Sequence, residues 1–257
     1  MKKTILGIER VDEFKNVFEG KRIGLITNPT GIDSNFKSSI DILLEKTNLV
    51  ALFSPEHGVR ADIQAGMHYS TYTDEETGLP VYSLYGKSKK PSKEMMDEID
   101  IMSIDVQDCG SRYYTFIYTM AYSMMACKEF GKQFVVFDRP NPIGGEKVEG
   151  NILDVKYRSF VGYYPIVQRH GMTIGELAKM FNEEFEIGCD LIVIPLSFSM
   201  SMLSNTCSSI SLCDNTPVFS INLSANVDFP WSMCAIILKF LILSWLISPP
   251  AFFFKFL

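Results

Sequence analysis

Short apolar segments alternate with longer stretches in which apolar residues recur every three or four positions, from the start of the chain to about Leu196. The short runs have the length of strands, and a spacing of three or four residues is typical of helices that bury one face. Strands that alternate with helices predict βαβ units, in which a parallel sheet is covered by helices on both faces. The pattern therefore predicts an α/β fold.

The boundaries of these elements follow from the same pattern. The predicted strands cover 22–26, 49–53, 101–106, 134–137 and 191–194, and the predicted helices cover 35–46, 92–99, 114–130 and 173–186. Thr173 and Glu176 have the spacing of a capping box, which marks the start of the last helix. Two connections, 55–84 and 141–172, are long for a compact α/β domain, and such loops are usually functional.

The pattern changes abruptly after Leu196. The segment 197–257 has few charged residues and contains the apolar run 235–247, which is interrupted by Lys239 and followed by two prolines. That run is shorter than the roughly 20 residues of a membrane-spanning helix. We predict a domain over 1–196 that is incomplete at its C-terminal end, and a tail over 197–257 that is frameshifted or poorly ordered. Membrane contact through 233–257 is the less favoured alternative.

Composition and charge narrow the choice of partners. With 47% hydrophobic residues, 21% charged residues and a formal net charge of −6, the chain is typical of a soluble globular protein without a basic surface. Binding to nucleic acid is therefore not expected, because it depends on neutralising phosphates. The N-terminal residues lack the apolar core of a signal peptide, and the six cysteines are scattered. We expect a cytoplasmic location with reduced thiols, and membrane association through the tail is the alternative.

Polar side chains follow four of the predicted strands at the point where each strand ends. Ligands bind beyond the carboxyl ends of parallel strands, so these residues predict one shared cleft, although structural capping is an alternative for each of them. They are Asn28 after the first strand, Glu56 and His57 after the second, Asp108 and Arg112 after the third, and Asp138, Arg139 and Asn141 after the fourth.

The sequence contains no binding motif for a nucleotide cofactor or a metal ion. The turn after the first strand holds only Gly31, whereas a dinucleotide site needs several glycines so that the backbone can approach the pyrophosphate. The three histidines, His57, His68 and His170, are far apart and lack the spacing of a zinc site. We therefore expect no cofactor and no metal.

Carboxylates remain as the chemical groups of the predicted cleft. Hydrolysis of a glycosidic bond needs an acid that protonates the leaving oxygen and a second group that attacks or stabilises the sugar cation. Glu56 is the predicted acid because it follows a buried strand, and His57 would orient it or contact the substrate. Asp108 is the predicted second group, with Asp105 and Asp138 as alternatives.

Several other residues are candidates for substrate contacts. Arg112 and Arg139 have the planar fork that binds a carboxylate, or they pair with neighbouring aspartates. Tyr114, Tyr118 and Tyr122 recur every four residues, which predicts one helix face that is either core or a platform for sugars. Gln64 and Tyr72, on the first long connection, are further candidates.

Six motifs occur together in an order and spacing that resemble the exo-β-N-acetylmuramidase (NamZ-type) glycoside hydrolase family. The resemblance extends from Leu6 to Leu196. The motifs lie within 20–31, 53–58, 78–86, 105–115, 138–150 and 171–176.

This resemblance implies a Rossmann-like catalytic domain over 1–196 that needs no cofactor. It also implies hydrolysis of terminal β-1,4-linked N-acetylmuramic acid (MurNAc) in muropeptides or MurNAc–GlcNAc fragments, during turnover of the cell wall. The Glu56-His57 motif would contribute to the cleft, and Arg112 or Arg139 would bind the lactyl carboxylate of MurNAc. Family members continue differently after Leu196, so a non-catalytic muropeptide-binding protein is the alternative.

Overall fold

The computed structural model describes residues 3–56, 58–60, 71–85 and 89–199. His57, Gln64 and the predicted tail beyond residue 199 lie outside the described residues. Within the described ranges, no helix is long and apolar enough to cross a membrane, and segment 233–257 falls outside that statement.

The described residues form one large sheet and one small one. The large sheet has seven strands in the order β4-β5-β3-β2-β6-β7-β8, parallel except for β4, and β1 pairs with β9 in the small sheet. The parallel βαβ arrangement confirms the predicted fold class. The strands are β1 Lys3–Ile5, β2 Arg22–Thr27, β3 Asn48–Ser54, β4 Tyr72–Thr73, β5 Pro80–Ser83, β6 Ile101–Asp105, β7 Gln133–Phe137, β8 Asp190–Ile194 and β9 Ser197–Ser199.

Helices cover both faces of the large sheet. Successive strand residues point to opposite faces, so Leu25 packs in the cluster that includes helix α2 and Ile26 packs in the cluster that includes α4. Both side chains are fully buried. The α-helices described are α1 Lys15–Phe18, α2 Ser39–Lys46, α3 Lys93–Asp97, α4 Phe116–Phe130 and α5 Ile174–Glu183.

Helix starts depend on local capping more than on apolar spacing. Helix α5 begins as predicted, because Thr173 and Glu176 form the reciprocal capping box. Helix α2 begins four residues later than predicted. The carboxylate of Asp33 accepts the backbone N–H groups of Asn35 and Lys37, which holds a turn, and Ser38 then caps the helix.

The described part of connection 55–84 contains two strands that the sequence did not predict. Strand β5 lies beside β3, with Val81 fully buried and paired with Leu52, and β4 adds the antiparallel edge. Four residues carry too little alternation to identify a strand from sequence. Strand β9 lies beyond the predicted domain boundary at residue 196, and the division into two parts stays a prediction.

Candidate functional site

The four polar strand ends lie at one edge of the sheet on neighbouring strands. Glu56 follows β3, Asn28 follows β2, Asp108 follows β6 and Asp138 follows β7, and these strands are successive in the sheet. Adjacent strands are about 4.8 Å apart, so the strands that carry Glu56 and Asp108 are separated by about 10 Å.

Glu56 is half-buried at this edge and faces polar neighbours from later in the chain. Its Oε2 accepts a hydrogen bond of 3.1 Å from the hydroxyl of Thr115, next to the start of α4. Burial, followed by the charge of Glu56 and a hydrogen bond to it, raises the pKa of Tyr85. The ammonium of Lys89 lies 3.4 Å from the centre of the Tyr85 ring. Glu56 therefore has hydroxyl and ammonium groups around it while it keeps contact with solvent.

Burial also lowers the pKa of Lys89, and the negative charge of Glu56 opposes that effect. Sequence reasoning did not identify Thr115, Tyr85 or Lys89 as neighbours of Glu56. Tyr85 and Thr115 belong to two motifs of the family resemblance, 78–86 and 105–115, and that was the only signal that pointed to them.

Asp108 is nearly enclosed, with 4% of its surface exposed. Its Oδ2 accepts the backbone N–H of Gly110 at 2.7 Å and lies 3.3 Å from Nε2 of His170. Its Oδ1 is buried without a hydrogen-bond partner among the described residues. From the sequence, His170 had been weighed only as a metal ligand. It belongs to the second long connection, 141–172, which places it beside Asp108.

Asp138 caps helix α5. Its Oδ1 accepts the backbone N–H groups of Gly175 at 2.8 Å and Arg139 at 3.0 Å, and its Oδ2 accepts the hydroxyl of Thr173 at 3.1 Å. A Cβ atom at Gly175 would lie 2.7 Å from the Asp138 carboxyl carbon, so only glycine permits this approach. Burial raises the pKa of Asp138 to about 6. The capping alternative therefore describes Asp138 better than contact with substrate.

Arg139 pairs with Asp105 in the interior. Its Nε and Nη2 donate to the two carboxylate oxygens of Asp105 at 2.6 and 2.7 Å, and Nη2 also donates to the carbonyl of Ile32. The two side chains are 1% and 0% exposed, and the hydroxyl of Ser39 donates to the same carboxylate. The predicted alternative of pairing with a neighbouring aspartate therefore describes Arg139 better than substrate binding, because its fork is occupied by Asp105.

Arg112 does not pair with an aspartate among the described residues, and its contact with substrate stays a prediction. It is 3% exposed, and its Nη1 donates to the backbone carbonyls of Asn151 at 2.8 Å and Ile166 at 2.5 Å. Its Nη2 lies 3.3 Å from the hydroxyl of Tyr113. Arg112 thus links the second long connection, 141–172, to the edge of the sheet. No aspartate forms an ion pair with Arg112 among the residues described.

The two asparagines also shape loops. Asn28 is 2% exposed and its Oδ1 accepts the backbone N–H and the hydroxyl of Thr30. Asn141 is 4% exposed and bonds with the backbone of Ile143 and Met172. Both side chains are engaged with their own connections, and Nδ2 of Asn28 is buried without a partner in the described part of the chain.

The predicted tyrosine stripe is divided. Tyr114 precedes helix α4 and packs edge-on against Phe116 at 4.7 Å, so it does not continue the helix face. Tyr118 is fully buried and belongs to the core, whereas Tyr122 is half-buried. A shared helix face over all three tyrosines was therefore wrong, because the helix begins after the first of them.

Metal ligands do not cluster in the ranges that the structure describes, where no three His, Cys, Asp or Glu side chains converge. Cys109, Cys127 and Cys189 are unpaired, and burial raises the pKa of the Cys189 thiol to about 11.

Comparison with known proteins identifies the relatives of this chain. The family model described as Exo-beta-N-acetylmuramidase NamZ, N-terminal, matches residues 23–209. The Peptidoglycan beta-N-acetylmuramidase NamZ of Bacillus subtilis (strain 168) is 59% identical over 186 residues, which are 72% of this chain and 45% of that protein.

Solved structures agree with this result. Crystal structures of two DUF1343 family proteins from Bacteroides fragilis match with TM-scores of 0.70 and 0.66, at 49% and 42% identity. The matches cover 75% and 76% of this chain and 50% and 52% of theirs. The chain therefore spans about half the length of the relatives that it matches.

Proposed function

This chain belongs to the NamZ exo-β-N-acetylmuramidase family, and from that premise we propose that it hydrolyses the bond of a terminal β-1,4-linked MurNAc in peptidoglycan fragments. One observation carries the proposal within the structure: Glu56 is a half-buried carboxylate at the carboxyl end of β3 that remains in contact with solvent. Ligands of open α/β sheets bind at that edge.

Glu56 would act as the acid that protonates the leaving oxygen of the glycosidic bond. The hydroxyl of Thr115 holds one carboxylate oxygen at 3.1 Å and so fixes the direction of the carboxyl group. Tyr85 and Lys89, on the same side, would contact the sugar that departs or the one that remains. No cofactor enters this mechanism.

Asp108 is the proposed second group. Its Oδ1 has no hydrogen-bond partner among the described residues, whereas Oδ2 is held by Gly110 and faces His170. A carboxylate fixed through one oxygen keeps the other available for a water molecule or for the cationic sugar centre. Because Asp108 is enclosed, this role needs the surrounding loops to admit the reacting atoms.

Release of MurNAc tests the proposal directly. The protein should liberate MurNAc from a MurNAc–GlcNAc disaccharide, detected by chromatography, and Glu56→Gln should lower kcat/KM by about 100-fold or more. Glu98→Gln is the matched control, because Glu98 also accepts a hydrogen bond from a tyrosine, Tyr82, but lies at the C-terminal end of helix α3. Unchanged turnover by Glu56→Gln would exclude Glu56 as the acid.

A second candidate is binding of muropeptides without hydrolysis. It is favoured by the state of the aspartates, since Asp105 and Asp138 are engaged with protein donors and Asp108 is 4% exposed. Calorimetry that detects MurNAc–GlcNAc binding while no MurNAc is released would support it, and any release that depends on Glu56 would rule it out.

The proposed location is the cytoplasm, where these fragments would arrive during recycling of the cell wall. Cell fractionation tests this, because recovery of the chain in salt-washed membranes would favour attachment through 233–257 instead.

A further inference from the structure

A row of aromatic rings leads from the surroundings of Glu56 to a cavity lined in part by helix α4 and by the segment that follows α5. Each ring is in contact distance of the next, with centroids 6.1, 6.1, 5.2, 4.9 and 4.4 Å apart along the row. We call it the aromatic row, and it consists of Tyr85, Phe160, Tyr122, Tyr163, Tyr164 and Phe185.

The aromatic row packs against the hydrophobic core and is partly exposed to solvent. Every ring except Tyr164 is half-buried, so each keeps part of its surface exposed. The row ends in a cavity of about 350 Å³ lined by Tyr163, Tyr164 and Phe185. Ligand pockets have volumes from about 300 Å³ upwards, so this cavity suits a ligand of one or two rings.

Cations accompany the rings. The Lys89 ammonium lies 3.4 Å from the centre of Tyr85 and 4.6 Å from that of Phe160, and the Arg158 guanidinium lies 4.6 Å from that of Tyr163. Lys128 and Arg158 both line the cavity, together with the acidic Glu186. Lys89 is attracted by the negative charge of Glu56, whereas Arg158 and Lys128 form no ion pair with another described residue.

Aromatic packing alone would explain the rings, but it leaves Arg158 and Lys128 without an ion pair in the described part of a chain whose net charge is −6. A ligand that offers both apolar ring faces and negative charge accounts for both features. A peptidoglycan strand without stem peptides has this chemistry, because every second sugar carries a free lactyl carboxylate.

We propose that the aromatic row and its cavity bind the leaving-group side of such a glycan strand, with sugar rings packed on the aromatic side chains and an internal lactyl carboxylate at Arg158 and Lys128. The inference rests on the proposed function, which places the terminal MurNAc at Glu56. It adds that the chain recognises at least one disaccharide beyond the bond that is cleaved.

Calorimetry on the Glu56→Gln protein, which should bind without cleaving, tests this inference. A tetrasaccharide of two MurNAc–GlcNAc units should bind about tenfold more tightly than the disaccharide, a difference of about 1.4 kcal/mol. Arg158→Gln should reduce that preference to about twofold. Lys156→Gln is the matched control, because Lys156 is close in sequence but pairs with Asp154 and does not line the cavity.

The aromatic contribution needs its own variants. Tyr163→Leu keeps an apolar side chain and should also weaken tetrasaccharide binding, whereas Tyr157→Leu, at a residue that is 69% exposed and outside the row, should not. A tetrasaccharide with methylated carboxylates separates charge from packing, since it should bind equally to the Glu56→Gln protein with and without Arg158→Gln. Thermal melting identifies any variant that fails to fold.

The outcomes separate the inference from the function that it rests on. Equal affinity for both chain lengths, or an unchanged preference in folded Arg158→Gln and Tyr163→Leu, overturns the inference even if the active protein releases MurNAc. A length preference that depends on Arg158, without any release by the active protein, supports the glycan surface and rejects the hydrolase.

Discussion

The two ends of the polar sheet edge differ in how their charges are used. On the β7 side, Arg139 and Asp105 are almost fully buried and bind each other through both carboxylate oxygens. On the β3 side, Glu56 is half-buried and accepts hydrogen bonds from the hydroxyl groups of Thr115 and Tyr85. Carboxylates at the same edge of the sheet thus have two environments. Asp105 is enclosed in a network with Arg139, whereas Glu56 lies in a site that is open to solvent.

This difference separates structural from chemical roles. A buried charge is tolerated only when its partners satisfy it, and a satisfied group has no capacity left for a substrate. A carboxylate with few partners and access to solvent keeps that capacity. Variants should therefore affect stability on the β7 side and activity on the β3 side.

The largest effect on stability is expected from Arg139→Met, which leaves the buried Asp105 carboxylate without its cation. The free energy of unfolding should fall by about 3–5 kcal/mol, measured by urea denaturation. Arg22→Met is the control, because Arg22 forms a similar fork with Asp100 but both side chains are partly exposed, so little change is expected. Similar losses in both variants would contradict the closed network.

A pH-dependent effect is expected from Asp138, whose pKa burial raises to about 6. The native state then holds a proton that the unfolded chain releases, so the free energy of unfolding should fall as the pH rises from about 4 to about 6, by up to about 3 kcal/mol. Asp138→Asn should remove this part of the pH dependence. Superimposable pH profiles for wild type and Asp138→Asn would show that the carboxyl group titrates normally.

A smaller loss is expected from Thr173→Ala at the start of α5. Thr173 accepts the N–H of Glu176 and donates to Asp138, so its removal should cost about 1–2 kcal/mol. Ser38→Ala, at the simpler cap of α2, should cost less. A greater loss at Ser38 would mean that the link from Thr173 to Asp138 contributes nothing.

The fold was largely predictable because apolar periodicity reports which residues face the core. The capping box at Thr173 located α5, whereas the Asx turn at Asp33 delayed α2 beyond its apolar pattern. Strand β5 was not predicted, because its burial depends on β3 beside it.

In the candidate site, the sequence predicted that Glu56, Asp108 and Asp138 lie at one edge of the sheet. It could not separate the occupied fork of Arg139 from a free one, nor bring His170 to Asp108, because both facts depend on contacts between distant segments.

The central claim is that Glu56 donates the proton to the leaving group, and the dependence of the Glu56→Gln defect on that group tests it most directly. An aryl MurNAc glycoside with an acidic leaving phenol needs little protonation, whereas a GlcNAc leaving group needs it strongly. The account predicts a loss of about 100-fold or more in kcat/KM on the disaccharide and less than about tenfold on the aryl glycoside. Equal losses on both substrates would contradict it.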